Sequence, residues 1–118
     1  MKKPYLKKYG VFSGFDVWIV DGEYIRTNID EEFTNFGQHL RFKFIPKSEF
    51  WIDKEYNGKE EKYYISHLII EHHLMSNGKT YEQALRFADL MEQKQRIKSR
   101  IIRNKLKCKL LKNPLNAM

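Results

Sequence analysis

Apolar and polar positions alternate at two periods along this chain, first near two and then near 3.6 residues, and the change divides it into strands followed by helices. Val17-Trp18-Ile19-Val20 and Tyr24-Ile25-Arg26 flank Asp21-Gly22-Glu23, and Asp-Gly between β-forming runs predicts a hairpin. In residues 27–38, Asp30, Glu31 and Glu32 alternate with Phe33 and Phe36 ahead of Gly37, the pattern of a structured loop or a short helical turn. Leu40, Phe42 and Phe44 then alternate with His39, Arg41, Lys43 and Ile45, predicting a half-buried strand stopped by Pro46, with a partner strand at residues 50–53. After Asn57-Gly58 a helix is predicted from Glu60 to Ser76, closed by Asn77-Gly78.

Thr80 with Gln83 three residues on forms a capping box that opens a second helix. Ala84, Phe87, Ala88 and Met91 share its core face, but Lys94, Gln95 and Lys98 take that face one to two turns later. The helix is therefore expected to leave the core near Glu92 and to end at Pro114. The expected fold class is α+β, a small antiparallel sheet packed against two C-terminal helices of which the last is extended and basic. The expected organisation is a basic tail at 1–8, a globular domain at 9–92 and a basic helical extension at 93–118.

At 118 residues the chain can bury one modest core without staples, and its 42% hydrophobic and 14% aromatic content argues against disorder despite 31% charged residues. The single cysteine, Cys108, cannot form an internal bridge, which suits a reducing compartment and makes the cytoplasm the expected location. Lys2, Lys3, Lys7 and Lys8 are not followed by an apolar run, so neither an export signal nor a transmembrane segment is expected.

Within residues 63–75, His67 and Glu71 stand one helical turn apart in the middle of an apolar stripe with Tyr63, Tyr64, Leu68, Ile70, Leu74 and Met75. An isolated buried charge is costly, so this pair needs a metal ion, a shared proton or a mutual hydrogen bond. Histidine and carboxylate at i and i+4 can serve one divalent ion, zinc foremost, with further ligands drawn from His39, Asp53, or Asp30 or Glu32 in the acidic loop. A structural pair hydrogen-bonded to nearby tyrosines answers the same pattern, as does acid/base chemistry without metal. His72 and His73 fall on the opposite, solvated face.

Pro46-Lys47-Ser48-Glu49-Phe50-Trp51-Ile52-Asp53, the helix His67-Leu68-Ile69-Ile70-Glu71-His72-His73-Leu74-Met75-Ser76-Asn77-Gly78, and Tyr81, Ala84 and Ala88 resemble a group of short phage and bacterial proteins. Their helix tends to read His-Glu-Leu-x-Glu and is similar to a compact metallopeptidase-like helix. The resemblance spans roughly residues 17–92 and implies that His67 and Glu71 belong to one site beside the Trp51-Ile52-Asp53 strand. It also implies the host cytoplasm if the protein is phage-encoded. Where that pattern has Glu, this chain has Leu68, so the general base on a metal-bound water is missing, and Glu71 stands where zincins carry their second histidine. The implied function is a non-catalytic or degenerate metal-binding domain, and any catalysis would be metal-dependent hydrolysis.

Charge adds a second feature. All 15 acidic residues lie at or before Glu92, while nine of the 22 basic residues follow it: Lys94, Arg96, Lys98, Arg100, Arg103, Lys105, Lys107, Lys109 and Lys112. Interleaved with Ile97, Ile101, Ile102, Leu106 and Leu110, they suit an accessory protein that meets nucleic acid or a nucleoprotein surface through phosphate contacts with little sequence selectivity. Attachment to an anionic membrane is the competing reading, weakened by the lack of Trp and Phe. A solubilising tail folded onto the acidic body is another.

Overall fold

A computed structural model describes residues 4–56 and 58–112, without the side chains of Tyr56 and of residues 108–112. Cys108 and Lys109 therefore lie outside the described side chains. Strands β1 (Tyr5–Phe12) and β2 (Phe15–Val20) form an antiparallel hairpin. Its two-residue turn, Ser13-Gly14, has φ of 51° and 83°, the left-handed pair that matches the twist of the flanking strands. The hairpin thus lies upstream of the expected one, and residues 5–8 are strand, not tail.

Asp21-Gly22 does a different job. The Asp21 carboxylate accepts from Tyr24 N at 3.0 Å and caps helix α1 (Gly22–Asn28), so a sequence that resembles a hairpin turn starts a helix. Residues 39–48 run as turns: the Arg41 and Phe42 amides return to the Gln38 carbonyl, and the strand expected at residues 40–44 is absent. Its alternation reflects aromatic side chains inserted into the core.

Strands β3 (Phe36–Gln38) and β4 (Glu49–Asp53) complete a four-stranded sheet in the order β1-β2-β4-β3. The α+β class holds, and the sheet is mixed: β2 and β4 pair in parallel, Asp16 opposite Glu49 through Val20 opposite Asp53, whereas the other two pairings are antiparallel. Both faces are covered. Val17, Ile19, Phe50 and Ile52 pack beneath Tyr63, Tyr64, Ile65 and Leu68 of helix α2 (Glu61–Ser76). Val20 and Trp51 pack on the other side against Ile25 of α1 and Phe33, Phe42 and Ile45. Each fully buried side chain of this size contributes about 1.5–3 kcal/mol.

Helix α2 ends in a turn built by Gly78 at φ 94°, with Gly78 N donating to Met75 O and Lys79 N to Leu74 O. Thr80 and Gln83 then exchange hydrogen bonds at 3.0 and 3.2 Å, the expected capping box, and open helix α3 (Tyr81–Lys112). Ala84 and Ala88 are buried, while Phe87 and Met91 are exposed. The seam of α3 instead continues through the partly buried Glu92, Gln95, Arg96 and Ser99, two turns past the point where departure from the core is expected. Among the described residues no helix is long and apolar enough to cross a membrane.

Candidate metal cleft

The helical spacing that puts Leu68 into the core also sets Tyr64, His67 and Glu71 along the edge of α2 facing β3 and α3. Phe36 of β3 packs edge-on against the His67 ring at 4.9 Å and lies 4.6 Å from the Tyr64 ring. His67 and Glu71 are each only 2% exposed. Gln38, fully buried on the same strand, donates from Nε2 to Glu71 Oε1 at 2.7 Å, and its own Oε1 accepts from Leu40 N at 2.7 Å. The second Glu71 oxygen, Oε2, lies 3.2 Å from His67 Nε2. An ionised carboxylate only accepts, so this contact places a proton on Nε2.

The other ring nitrogen is then the centre of the site. His67 Nδ1 is buried and has no hydrogen-bond partner among the described residues, yet it stands 3.3 Å from Glu92 Oε1 and 3.6 Å from Asp89 Oδ1, both on α3. A bare lone pair facing two carboxylates is repulsive, so Nδ1 requires a positive particle, either a proton or a metal ion. Burial works against the imidazolium, but the Glu71 hydrogen bond and the charges of Glu71, Asp89 and Glu92 outweigh it and hold the His67 pKa above 6.5. The Asp89 carboxyl is raised, by burial first and by Glu92 and Glu71 next, against the pull of His67.

These groups border a cleft of about 400 Å³. Its opposite wall carries Arg41, whose Nη2 pairs with Glu32 Oε2 at 3.1 Å and whose guanidinium lies 4.7 Å from the Tyr81 ring centroid. Burial raises the Tyr81 hydroxyl pKa and Glu71 adds to the rise, while Arg41 opposes it. Among the described residues no group of three or more His, Cys, Asp or Glu side chains is placed so that it could hold a metal ion.

Of the ligands expected from sequence, the structure brings together His67 and Glu71 and leaves two elsewhere. His39 donates from Nδ1 to Ile45 O at 2.6 Å and lines a separate depression with His72 and Phe15. Asp53 is fully buried on the opposite face of the sheet, where its carboxylate pairs with Arg26 Nη1 at 3.0 Å and accepts from the amide of Gly22. Glu32 reaches the cleft rim, whereas Asp30 caps its own loop by accepting from Glu32 N. Sequence reading missed Gln38, Asp89 and Glu92. The signal for the last two was their i, i+3 spacing on a helix whose seam passes through Ala84, Ala88 and Glu92.

Along α3 the cations Lys94, Lys98, Arg100, Arg103, Lys105 and Lys107 are exposed. Arg96 is instead half-buried, hydrogen-bonded through Nε to Glu92 Oε2 at 3.1 Å and ion-paired through Nη1 with Glu60 Oε2 at 2.9 Å, with its guanidinium 4.1 Å from the Tyr63 ring centroid. No protein-family model, curated protein or solved structure matches the chain.

Proposed function

We propose that the chain is a divalent-metal-binding domain whose ion sits at His67 Nδ1 between Glu92 and Asp89. The observation that carries this is the buried Nδ1, without a hydrogen bond among the described residues and facing two carboxylates. Behind it, Gln38, Glu71 and His67 Nε2 form the relay of hydrogen bonds that commonly fixes the tautomer and orientation of a metal-bound histidine. Glu71 therefore orients the ligand instead of binding the ion. One nitrogen and two carboxylate oxygens suit zinc, manganese or iron. Asp89, whose side chain is 55% exposed, closes the site by a rotamer change. Leu68 is fully buried in the core, which supports a binding role without a general base beside His67.

Elemental mass spectrometry of the purified full chain beside a D89N/E92Q variant tests this reading. Near-stoichiometric metal in the wild type that is lost from the folded variant is expected. No uptake by the wild type after incubation with zinc, manganese or iron overturns it.

A second reading rests on a different observation. The six exposed cations from Lys94 to Lys107 follow the last acid of the chain and have no ion-pair partner among the described residues, which supports binding of a polyanion such as nucleic acid through α3.

A further inference from the structure

The cations of α3 are sorted by type around the helix. Arg96, Arg100, Arg103 and Lys107 recur at i, i+4, i+7 and i+11 and share one stripe, whereas Lys94, Lys98 and Lys105 recur at i, i+4 and i+11 on the opposite side. Every arginine beyond Glu92 belongs to the first stripe. Arg96, Arg100 and Arg103 of that stripe line one wall of a groove of about 750 Å³, and the turn ahead of α2 with the first turn of that helix forms the other, bringing in Lys59 and Lys62.

Arg96 lines the groove and pairs with Glu60, the acid among its described lining residues, and with Glu92 outside it. Four cations, Lys59, Lys62, Arg100 and Arg103, remain exposed and without an ion pair among the described residues. Arginine binds phosphate oxygens in a bidentate fork and lysine only as a point charge, so the placement of the α3 arginines in the groove, with Lys94, Lys98 and Lys105 of the same helix outside it, marks the groove for phosphate. Arg96 to Arg103 spans about 10 Å of helix axis. This length exceeds what a single phosphate needs and admits successive phosphates of one strand.

We infer that this groove is a docking site for a nucleic-acid backbone, held between the arginine stripe of α3 and Lys59 and Lys62 at the start of α2. The inference rests on the polyanion reading of α3 and adds where the phosphates lie and which second element holds them. Contacts here reach phosphate and not base edges, so binding is insensitive to sequence and falls steeply with salt.

Fluorescence anisotropy of a labelled single-stranded oligodeoxynucleotide of roughly 20 residues, titrated with the full chain between about 50 and 200 mM salt, tests it. R100E/R103E is compared with K94E/K98E/K105E, and circular dichroism confirms that each variant retains its helices. The arginine pair is expected to lose at least about tenfold in affinity and the lysine triple less than about threefold, although the triple reverses more charge. K59A/K62A, on the other wall, is expected to lose affinity as well. An equal or larger loss in the lysine triple, or no loss in K59A/K62A, overturns the groove and leaves the polyanion reading standing. No binding by the wild type overturns both, and binding to phosphatidylserine vesicles without oligonucleotide binding overturns both in favour of a lipid surface.

Discussion

His67 Nδ1 faces Glu92 Oε1 at 3.3 Å across the seam between two antiparallel helices, while the same ring holds Glu71 at 3.2 Å on its far side. The imidazole is thus clamped between a carboxylate fixed by Gln38 and one whose Oε2 is held by Arg96 while its Oε1 faces the ring. Glu92→Gln keeps the shape and removes the charge. It is expected to weaken zinc binding by two orders of magnitude or more, beyond the about 10- to 100-fold cost typical of groups that only orient a ligand. Glu71→Gln is expected to fall within that lesser range. Calorimetric titration of both variants checks the order, and a larger loss in Glu71→Gln would reverse the assigned roles.

Gln38 tests the relay from its other end. Replacing it with leucine strips a donor from buried Glu71 and an acceptor from the Leu40 amide, and is expected to destabilise the fold by about 1–3 kcal/mol in urea unfolding. Unchanged stability would mean that Glu71 is satisfied without it.

Asp53 is expected to act in folding, not at the metal. Its carboxylate is 1% exposed and is neutralised by Arg26, so Arg26→Met leaves a buried charge unpaired and should cost about 3 kcal/mol while leaving metal affinity intact. Gly22→Ala is also expected to destabilise, because a Cβ there would collide with the Asp53 carboxylate. Loss of metal from folded Arg26→Met protein would tie Asp53 to the site after all.

Two histidines give stability opposite slopes around pH 6.5 in the metal-free protein. His67 has a raised pKa, so its contribution is fully present below the unfolded value of about 6.5 and is lost as pH rises through the folded pKa. His72 is lowered, by burial first and by His39 and His73 against the pull of Glu71, and its ring lies 4.7 Å from that of Phe15. Its contribution is present above about pH 6.5 and is lost as pH falls through the folded pKa. Thermal unfolding against pH should show His67→Gln flattening the alkaline side and His72→Gln the acid side. Wild-type slopes in both variants would contradict these environments.

The paired helices were legible because local rules and tertiary packing agree there: Gly78 and the Thr80 and Gln83 box end one helix and begin the next as their spacing requires. His67 and Glu71 were legible for a similar reason, as polar residues inside an apolar stripe. Asp21-Gly22 was ambiguous, since an aspartate before glycine can turn a hairpin or cap a helix, and the Gly22 contact with Asp53 that decides it lies 31 positions away. Residues 40–44 alternate like a strand because Phe42 and Phe44 insert beside Phe33, a long-range consequence no local pattern reveals. Asp89 and Glu92 were hidden by their polarity, which made the α3 seam look like surface.

The most direct measurement is a long-range proton–nitrogen correlation spectrum of the histidine rings, recorded with and without one equivalent of zinc at neutral pH. The Nδ1 resonance of His67 is expected to move on zinc addition while Nε2 remains protonated and bonded to Glu71. A His67 Nδ1 resonance unmoved by zinc would contradict the metal site and leave an imidazolium held among three carboxylates.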